Sequence, residues 1–475
     1  MTFSQSNYSW SDAGFSNDPK RYAPPAASVA GTACFLVSLA LAYSFYPSEE
    51  TSTLIATVVA RIVGIGFIVS VFLDSQQGLR NLLRTDLLCI VGVYGLTLAE
   101  FLFPQEEFEV MTTPDQTTLA LNIVLIGLAA MLVGRHLTPP KPMESSWLKL
   151  DDISNTLLFK VFVVSAFLGY LNMLISVQFN VIDMVDAMLG ARFTQPWTRG
   201  ALGGWRTLVN ELALFSYIIP PLTGVIWNRK RFFSKPQIII VLAIGALTLF
   251  HSFASGTRNI FIAHLATLSM GYLLTLPKNT FRNTILPLAA IAFITVYGSY
   301  HMLEFRTIGL RNYIDNQVYA SESTRDTLAV DYNLASIGWV ADAMPQNHDF
   351  LGLEVLNWAL VRPIPRALWP SKPVCLCVSI EEFSGAVGWT VASTYLGECY
   401  MMAGMFGVVS MSMLFGALAA WWNRMAMREQ SDYALVVYAL GFFAAGITMR
   451  SMFWLTTAIL PVIALIVFRK YVPTR

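Results

Sequence analysis

Charge is what this chain lacks most. Only 13% of its 475 residues are Asp, Glu, Lys or Arg, about half the ~25% that soluble domains carry. Hydrophobic residues make up 55%, and mean hydropathy is +0.54. A string of soluble domains is thereby excluded. The net charge of +1 provides no electrostatic footprint for nucleic acid. Cysteine is also sparse: there are five. Cys34, Cys89 and Cys399 fall in apolar stretches, and Cys375 and Cys377 stand one residue apart, too close for an easy disulfide and too few for a zinc site. The Gly-x-x-x-x-Gly-Lys-Ser/Thr, His-Glu-x-x-His and Gly-x-Ser-x-Gly motifs are absent. ATP-driven work, zinc hydrolysis and serine hydrolysis therefore lose their usual signatures. Asp-x-Asp, the metal–nucleotide-sugar pattern, is absent too. The first 25 residues are polar, so no cleavable leader is expected.

Long apolar runs, by contrast, are plentiful. A crossing takes about 20 apolar residues, and twelve candidate stretches occur: 27–46, 52–73, 87–103, 117–133, 156–177, 207–227, 238–253, 260–276, 284–303, 394–422, 433–449 and 452–468. Loop charge orients them. With the N-terminus in the cytoplasm, inside segments hold 18 of the 31 Lys and Arg residues, from Lys20 and Arg21 through Arg229, Lys230 and Arg231 to Arg469 and Lys470. The first two outside loops are acidic, with Glu49 and Glu50, then Glu106, Glu107 and Glu109. This satisfies the positive-inside rule. The expected fold is an all-α polytopic membrane protein of about 12 transmembrane helices with one large periplasmic loop carrying short helices. Its parts are a cytoplasmic tail (1–26), helices one to nine (27–303), the large loop (304–393), helices ten to twelve (394–468) and a second cytoplasmic tail (469–475). Within the loop, 331–344 reads as a helix and 351–361 as an interfacial one with Trp358 and Trp369 as anchors. Arg61, mid-span, is expected to pair inside the bundle with Glu100, and His264 to be packed there.

The outside cations are ten Arg (192, 199, 206, 258, 306, 311, 325, 362, 366 and 450) and Lys372. Positive charge outside opposes the orientation rule and so calls for another reason. Arg binds phosphate or carboxylate with a planar fork, unlike Lys. Any one of them has an ordinary reading, pairing with an acid such as Asp331, Asp342 or Glu354 or standing in water. As a set they fit a site for a large anionic ligand. The stretch from Arg362 to Pro373 packs four prolines with Arg362, Arg366 and Lys372 into a stiff loop. The stretch from Arg192 to Arg206 mixes glycine, aromatics and three Arg, a composition suited to sugar or phosphate. At the turn from His251 to Asn259, Gly256 permits the reversal and Arg258 opens the next helix, which also describes an ordinary helix hairpin. The acid–base residues on this face are His301, Glu304, Asp331, His348, Asp349 and Glu398. Glu398 and His348 are the two candidates for a catalytic base. Glu398 opens a late span and equally suits an ion-pair partner of a nearby Arg.

The large outer loop, the Arg-Pro-Ile-Pro-Arg-Ala-Leu-Trp-Pro-Ser-Lys-Pro stretch, the Ser-Gly-Thr-Arg258-Asn turn and Tyr-Leu-Gly-Glu398 together resemble the bacterial O-antigen polymerases, the Wzy-type oligosaccharide repeat-unit polymerases. Arg192 and Gly203 are separated by ten residues, the spacing of that family's Arg-Gly motif, and the large loop lacks a second copy. The resemblance implies a membrane-embedded glycosyltransferase of the C type in the bacterial inner membrane, working without metal or cofactor. Its substrates would be polyprenyl-diphosphate-linked glycans, its surroundings membrane lipid, and its partners a chain-length regulator and a flippase. Arg192, Arg199, Arg258, Arg306, Arg362, Arg366 and Lys372 would bind diphosphate and glycan. An O-antigen ligase of the same fold would share such a site. A lipid-linked oligosaccharide flippase would instead place its charges among the spans and keep outer loops short.

Overall fold

The computed structural model describes residues 25–45, 51–105, 107–141, 148–192, 194–197, 206–276, 280–306, 308–315, 332–365, 368–369, 371–373, 376, 392–426 and 431–471. Those residues form helices and connecting turns, with no strand among them. In chain order the helices are α1 (Val29–Ser44), α2 (Ser52–Gln76), α3 (Thr85–Thr97), α4 (Pro114–Gly134), α5 (Asn155–Ser176), α6 (Val181–Met188), α7 (Val209–Asn228), α8 (Lys235–Ala254), α9 (Arg258–Leu274), α10 (Phe281–Phe305), α11 (Leu310–Asp315), α12 (Asn333–Ala343), α13 (Glu354–Val361), α14 (Thr394–Asn423), α15 (Asp432–Arg450) and α16 (Met452–Tyr471). Among the described residues nine are long and apolar enough to cross a membrane: α2, α4, α5, α7, α8, α10, α14, α15 and α16. All twelve apolar stretches are helical, but α1, α3 and α9 are shorter, at 16, 13 and 17 residues.

Polar contacts define two ends of the bundle. At one, Asp74 in the last turn of α2 meets Ser28 before α1 and Arg84 before α3, while Asn423 of α14 donates to Asp86 of α3. Arg229 there joins Asp152 and Asp432, and Arg80 donates to the Leu274 carbonyl. At the other end Asn333 donates to the Leu96 carbonyl at 2.9 Å and Trp339 to that of Met111 at 3.0 Å. The three short helices thus run between the same two ends as the long ones. Caps set their starts. Ser28, Ser154 and Ser431 each accept an amide of the first turn of α1, α5 and α15, and Thr113 forms a capping box with Gln116 ahead of α4. Arg61 is exposed on α2 while Glu100 is buried, so the expected pair is replaced by an Arg on the outside of the bundle. His264 is packed inside, 2% exposed.

The stretch 394–422, expected to be one span, is broken. Ala403 (φ −157°, ψ 33°) and Gly404 (φ 60°, ψ −146°) interrupt α14. The Tyr395 hydroxyl bonds the Ser412 hydroxyl at 3.1 Å, and the Tyr395 and Phe415 rings lie 5.5 Å apart. In an unbroken helix 17 residues would rise about 26 Å, so residues 394–402 fold back against residues 405–423. A side chain at Gly407 would collide with the Cys399 carbonyl, as close antiparallel limbs require. The break takes a backbone conformation open chiefly to glycine. The carbonyls it frees are met from outside the helix: Leu351 N–H donates to Met401 O and Gly352 N–H to Met402 O, both at 2.9 Å. Phe350 packs over Gly404, where a Cβ would come within 2.9 Å of its ring. Backbone left without hydrogen bonds is not tolerated in lipid, and residues 350–352 provide those bonds.

Candidate functional site

The folded-back limb brings Glu398 to the corner where α15 ends and α16 begins. Its side chain is buried, and both oxygens are used: Ser451 Oγ donates to Oε1, and Met452 N–H donates to Oε2 at 2.6 Å. Arg362 caps α13, and its charge acts on Glu398. The Arg362 guanidinium lies 4.2 Å above the Trp454 ring, a cation–π contact. Thr456 Oγ1 donates to the Ala359 carbonyl at 2.6 Å and so ties α13 to α16. Lys372 Nζ donates to the Arg362 and Ile364 carbonyls at 2.6 and 2.9 Å. In a proline-rich loop with few backbone donors, this ammonium supplies what the backbone lacks.

A second group of cations adjoins this corner. Arg192 stands in the turn after α6, half-buried. That turn is held by Gln195 Nε2, which donates to the Met188 carbonyl at 3.4 Å, and by Trp197 Nε1, which donates to Gln195 Oε1 at 3.1 Å. Burial, then the charges of Arg306 and Arg450, pulls the Arg192 guanidinium below its ordinary pKa. Arg450 is the last residue of α15 and precedes Ser451, the donor to Glu398. Arg306 caps α10, and its Cα, Cβ and Cγ lie against Gly256, where any Cβ would meet them at 2.8 to 3.1 Å. Gly256 has φ +62°, so glycine is required there for both the turn and the close approach. Arg258 begins α9 one residue beyond Thr257, the cap of that helix, and is half-buried.

The structure thus gathers Arg192, Arg306, Arg362 and Glu398 around the corner where α15 ends and adds Arg450, which in sequence was one more of the cations expected outside. His348 is exposed in the turn after α12, where its N–H donates to the Ala343 carbonyl. Arg199 and Arg366 lie outside the described residues. Beside Arg306 a separate polar cluster forms: His301 Nδ1 and Tyr313 Oη each approach Glu304 Oε2, at 3.2 and 2.5 Å. Burial and Glu304 raise the Tyr313 hydroxyl to about 12. No group of three or more His, Cys, Asp or Glu residues suited to a metal ion occurs among the described residues.

Fold and site together define a helical polytopic membrane protein with an arginine-rich corner at one end of its bundle. Residues 222–467 match the family model described as a domain of unknown function (DUF8712), and the chain belongs to that family. The match runs from α7 through α16 and so includes Arg258, Arg306, Arg362, Glu398 and Arg450. No curated protein and no solved structure matches the chain.

Proposed function

We propose that this protein is a glycosyltransferase that polymerises polyprenyl-diphosphate-linked oligosaccharide repeat units at the outer face of the inner membrane. One observation carries the reading: Arg306 and Arg450 both bear electrostatically on Arg192, and Arg450 adjoins the Glu398 corner where Arg362 lies. Grouped guanidinium groups attract anions, and their planar forks suit the oxygens of a diphosphate. At the outer face neither ATP nor a nucleotide sugar is at hand, so the donor must arrive activated, as a diphosphate ester. The cations would hold the diphosphate and stabilise the charge it gains as it leaves, an effect worth several kcal/mol.

The same reading assigns twelve crossings, with α1, α3 and α9 completing the nine longer helices, and both termini in the cytoplasm. Residues 304–393 then lie outside. Glu398, with both oxygens already engaged, serves as the brace that sets Ser451 and Arg450 in place. A chain-length regulator and a flippase would work beside it.

The test is polymer laddering in a strain whose own copy is deleted, complemented by Arg306→Lys or Arg450→Lys at matched protein level. Each is expected to lose laddering nearly as fully as the Ala variant, because the fork geometry goes with the guanidinium. Full laddering from both Lys variants would overturn the assignment.

A further inference from the structure

Beneath the cation corner lies a layer of polar side chains with unmet hydrogen-bonding capacity. His251 Nδ1, His264 Nε2 and Ser299 Oγ are buried and have no hydrogen-bond partner among the described residues. Such atoms in a packed interior call for an occupant that bonds them. His264 and Ser299 lie at similar depth. Ser299 precedes Arg306 by two turns of α10, and Phe443 precedes Arg450 by two turns of α15, about 10 Å in each case. Phe443 stacks on Tyr217 at 5.2 Å, and Tyr217 lies 5.0 Å from the His264 ring. His264 Nδ1 is hydrogen-bonded to Ser252 Oγ, which fixes that ring. The imidazole of His251 lies within electrostatic reach of His264. Its ring stands edge-on to Trp197, centroids 6.2 Å apart, in the same turn that carries Arg192. An aromatic face and two imidazoles thus lie below Arg192 and Arg450, and the Ser299 hydroxyl lies two turns below Arg306 on α10.

We propose that this layer binds hydroxyls of the acceptor sugar and that His251 is the general base of the transfer. The inference rests on the glycosyl-transfer reading above and names the proton acceptor that reading needs. Nδ1 of His251 has no hydrogen-bond partner among the described residues, whereas both oxygens of Glu398 are engaged. In the step, the acceptor hydroxyl gives its proton to His251. The oxygen's electron pair forms the bond to the donor's anomeric carbon, and the bond from that carbon to the diphosphate oxygen breaks with its pair onto the diphosphate. The cations above hold that leaving group, and the imidazolium then passes its proton to water. His264, held by Ser252, and Ser299 position the acceptor.

The experiment uses the purified full-length protein, undecaprenyl diphosphate as the binding probe, and lipid-linked glycan from the deletion strain as substrate. His251→Ala is expected to bind undecaprenyl diphosphate as the parent does and to polymerise at least about 100-fold more slowly, the scale of a lost general base. Added imidazole should restore part of the rate, which a merely structural histidine would not permit. An unchanged rate, or a loss that imidazole leaves untouched, overturns the proposal. Should His251→Ala fail to accumulate, the parent protein is treated with diethyl pyrocarbonate and the His251 peptide followed by mass spectrometry. Modification that stops the reaction and is blocked by the lipid-linked glycan supports the base, and an unreactive His251 or modification at full rate overturns it. If Arg306→Lys and Arg450→Lys halt polymerisation while His251→Ala does not, the base falls and the polymerase reading stands. If all three polymerise normally, both fall.

Discussion

At the Arg84 end of the bundle, each buried cation stands beside a carboxylate. Arg84 lies 2.5 Å from Asp74 and 3.2 Å from Asp86, Arg135 lies 3.5 Å from Asp86, and all four side chains are at most 1% exposed. Asn423 and Ser28 donate to the same carboxylates, and Arg135 donates to Thr32. At the Glu398 end, the charges bearing on Arg192 are two further guanidinium groups, Arg306 and Arg450. The chain therefore places similar residue types in two environments. One compensates charge within the fold and ties α1, α2, α3, α4 and α14 together. The other sets two guanidinium groups, Arg306 and Arg450, within electrostatic reach of a third, Arg192. The first arrangement is what a fold needs, and the second is what the proposed anionic ligand would use.

The largest effect that would break this contrast comes from the compensated end. Asp86→Ala leaves Arg84 and Arg135 short of a buried partner, and removing one member of a buried pair costs about 3–5 kcal/mol. Protein yield and thermal melting in detergent should collapse. Arg450→Ala removes a charge that repels Arg192, so it should melt at or near the parent temperature while losing polymerisation. Equal stability losses from the two variants would erase the distinction between a structural end and a functional one.

A smaller effect is expected at the α14 break, which couples the segment 350–352 to the limb holding Glu398. Gly404→Ala puts a side chain at φ 60°, ψ −146° and against the Phe350 ring. Strain of this kind costs about 1–3 kcal/mol. The expected result is a lower melting temperature together with reduced laddering, since Glu398 and the Ser451 contact move with the hinge. Parent-like melting and laddering would show that the break does not position the site.

These residues also mark how far the sequence could be read. The apolar stretches were legible because hydropathy alone locates them, and every one is helical. The hairpin in α14 was not legible, because 394–422 is apolar throughout and an Ala–Gly pair inside an apolar run looks like ordinary small-residue packing. The Ala403 and Gly404 dihedrals, the Tyr395–Ser412 contact and the bonds from Leu351 and Gly352 reveal it. The arginine set was legible by residue type, since Arg outnumbers Lys where the orientation rule expects neither. Its grouping was not, because Arg192, Arg306 and Arg450 come from three distant elements that meet only in the folded chain. Glu398 drew notice as a costly carboxylate in a span, and its use by Ser451 and Met452 depends on a corner of backbone that no local pattern announces. His251 and His264 were read as turn and packing residues because sequence does not show which buried nitrogens stay unbonded.

The smallest expected effect sharpens the comparison from the side opposite the compensated network. Glu109, beyond the Glu398 end of α2, is an acid used as a remote cap: its carboxylate accepts the N–H of Thr53 at 2.6 Å and of Ser52 at 3.2 Å, at the start of α2. Burial would raise its pKa, but those N–H donors and the hydroxyls of Thr53 and Thr51 outweigh it and hold the group below the ordinary value of 4.5. A depressed folded value means that the carboxylate stabilises the fold above the unfolded pKa, and that this contribution fades as pH falls from about 4.5 through the folded value. Because Glu109 is exposed, solvent screening keeps the contribution under about 1 kcal/mol. Glu109→Gln should therefore lower the melting temperature slightly at pH 7 and not at all below the folded pKa, so that the melting curves of parent and variant converge on acidification. Asp86→Ala should stay far below the parent across the same range, since Arg84 and Arg135 remain charged throughout. A Glu109→Gln deficit that persists undiminished at low pH would mean that side-chain shape, not the carboxylate's charge, holds the start of α2.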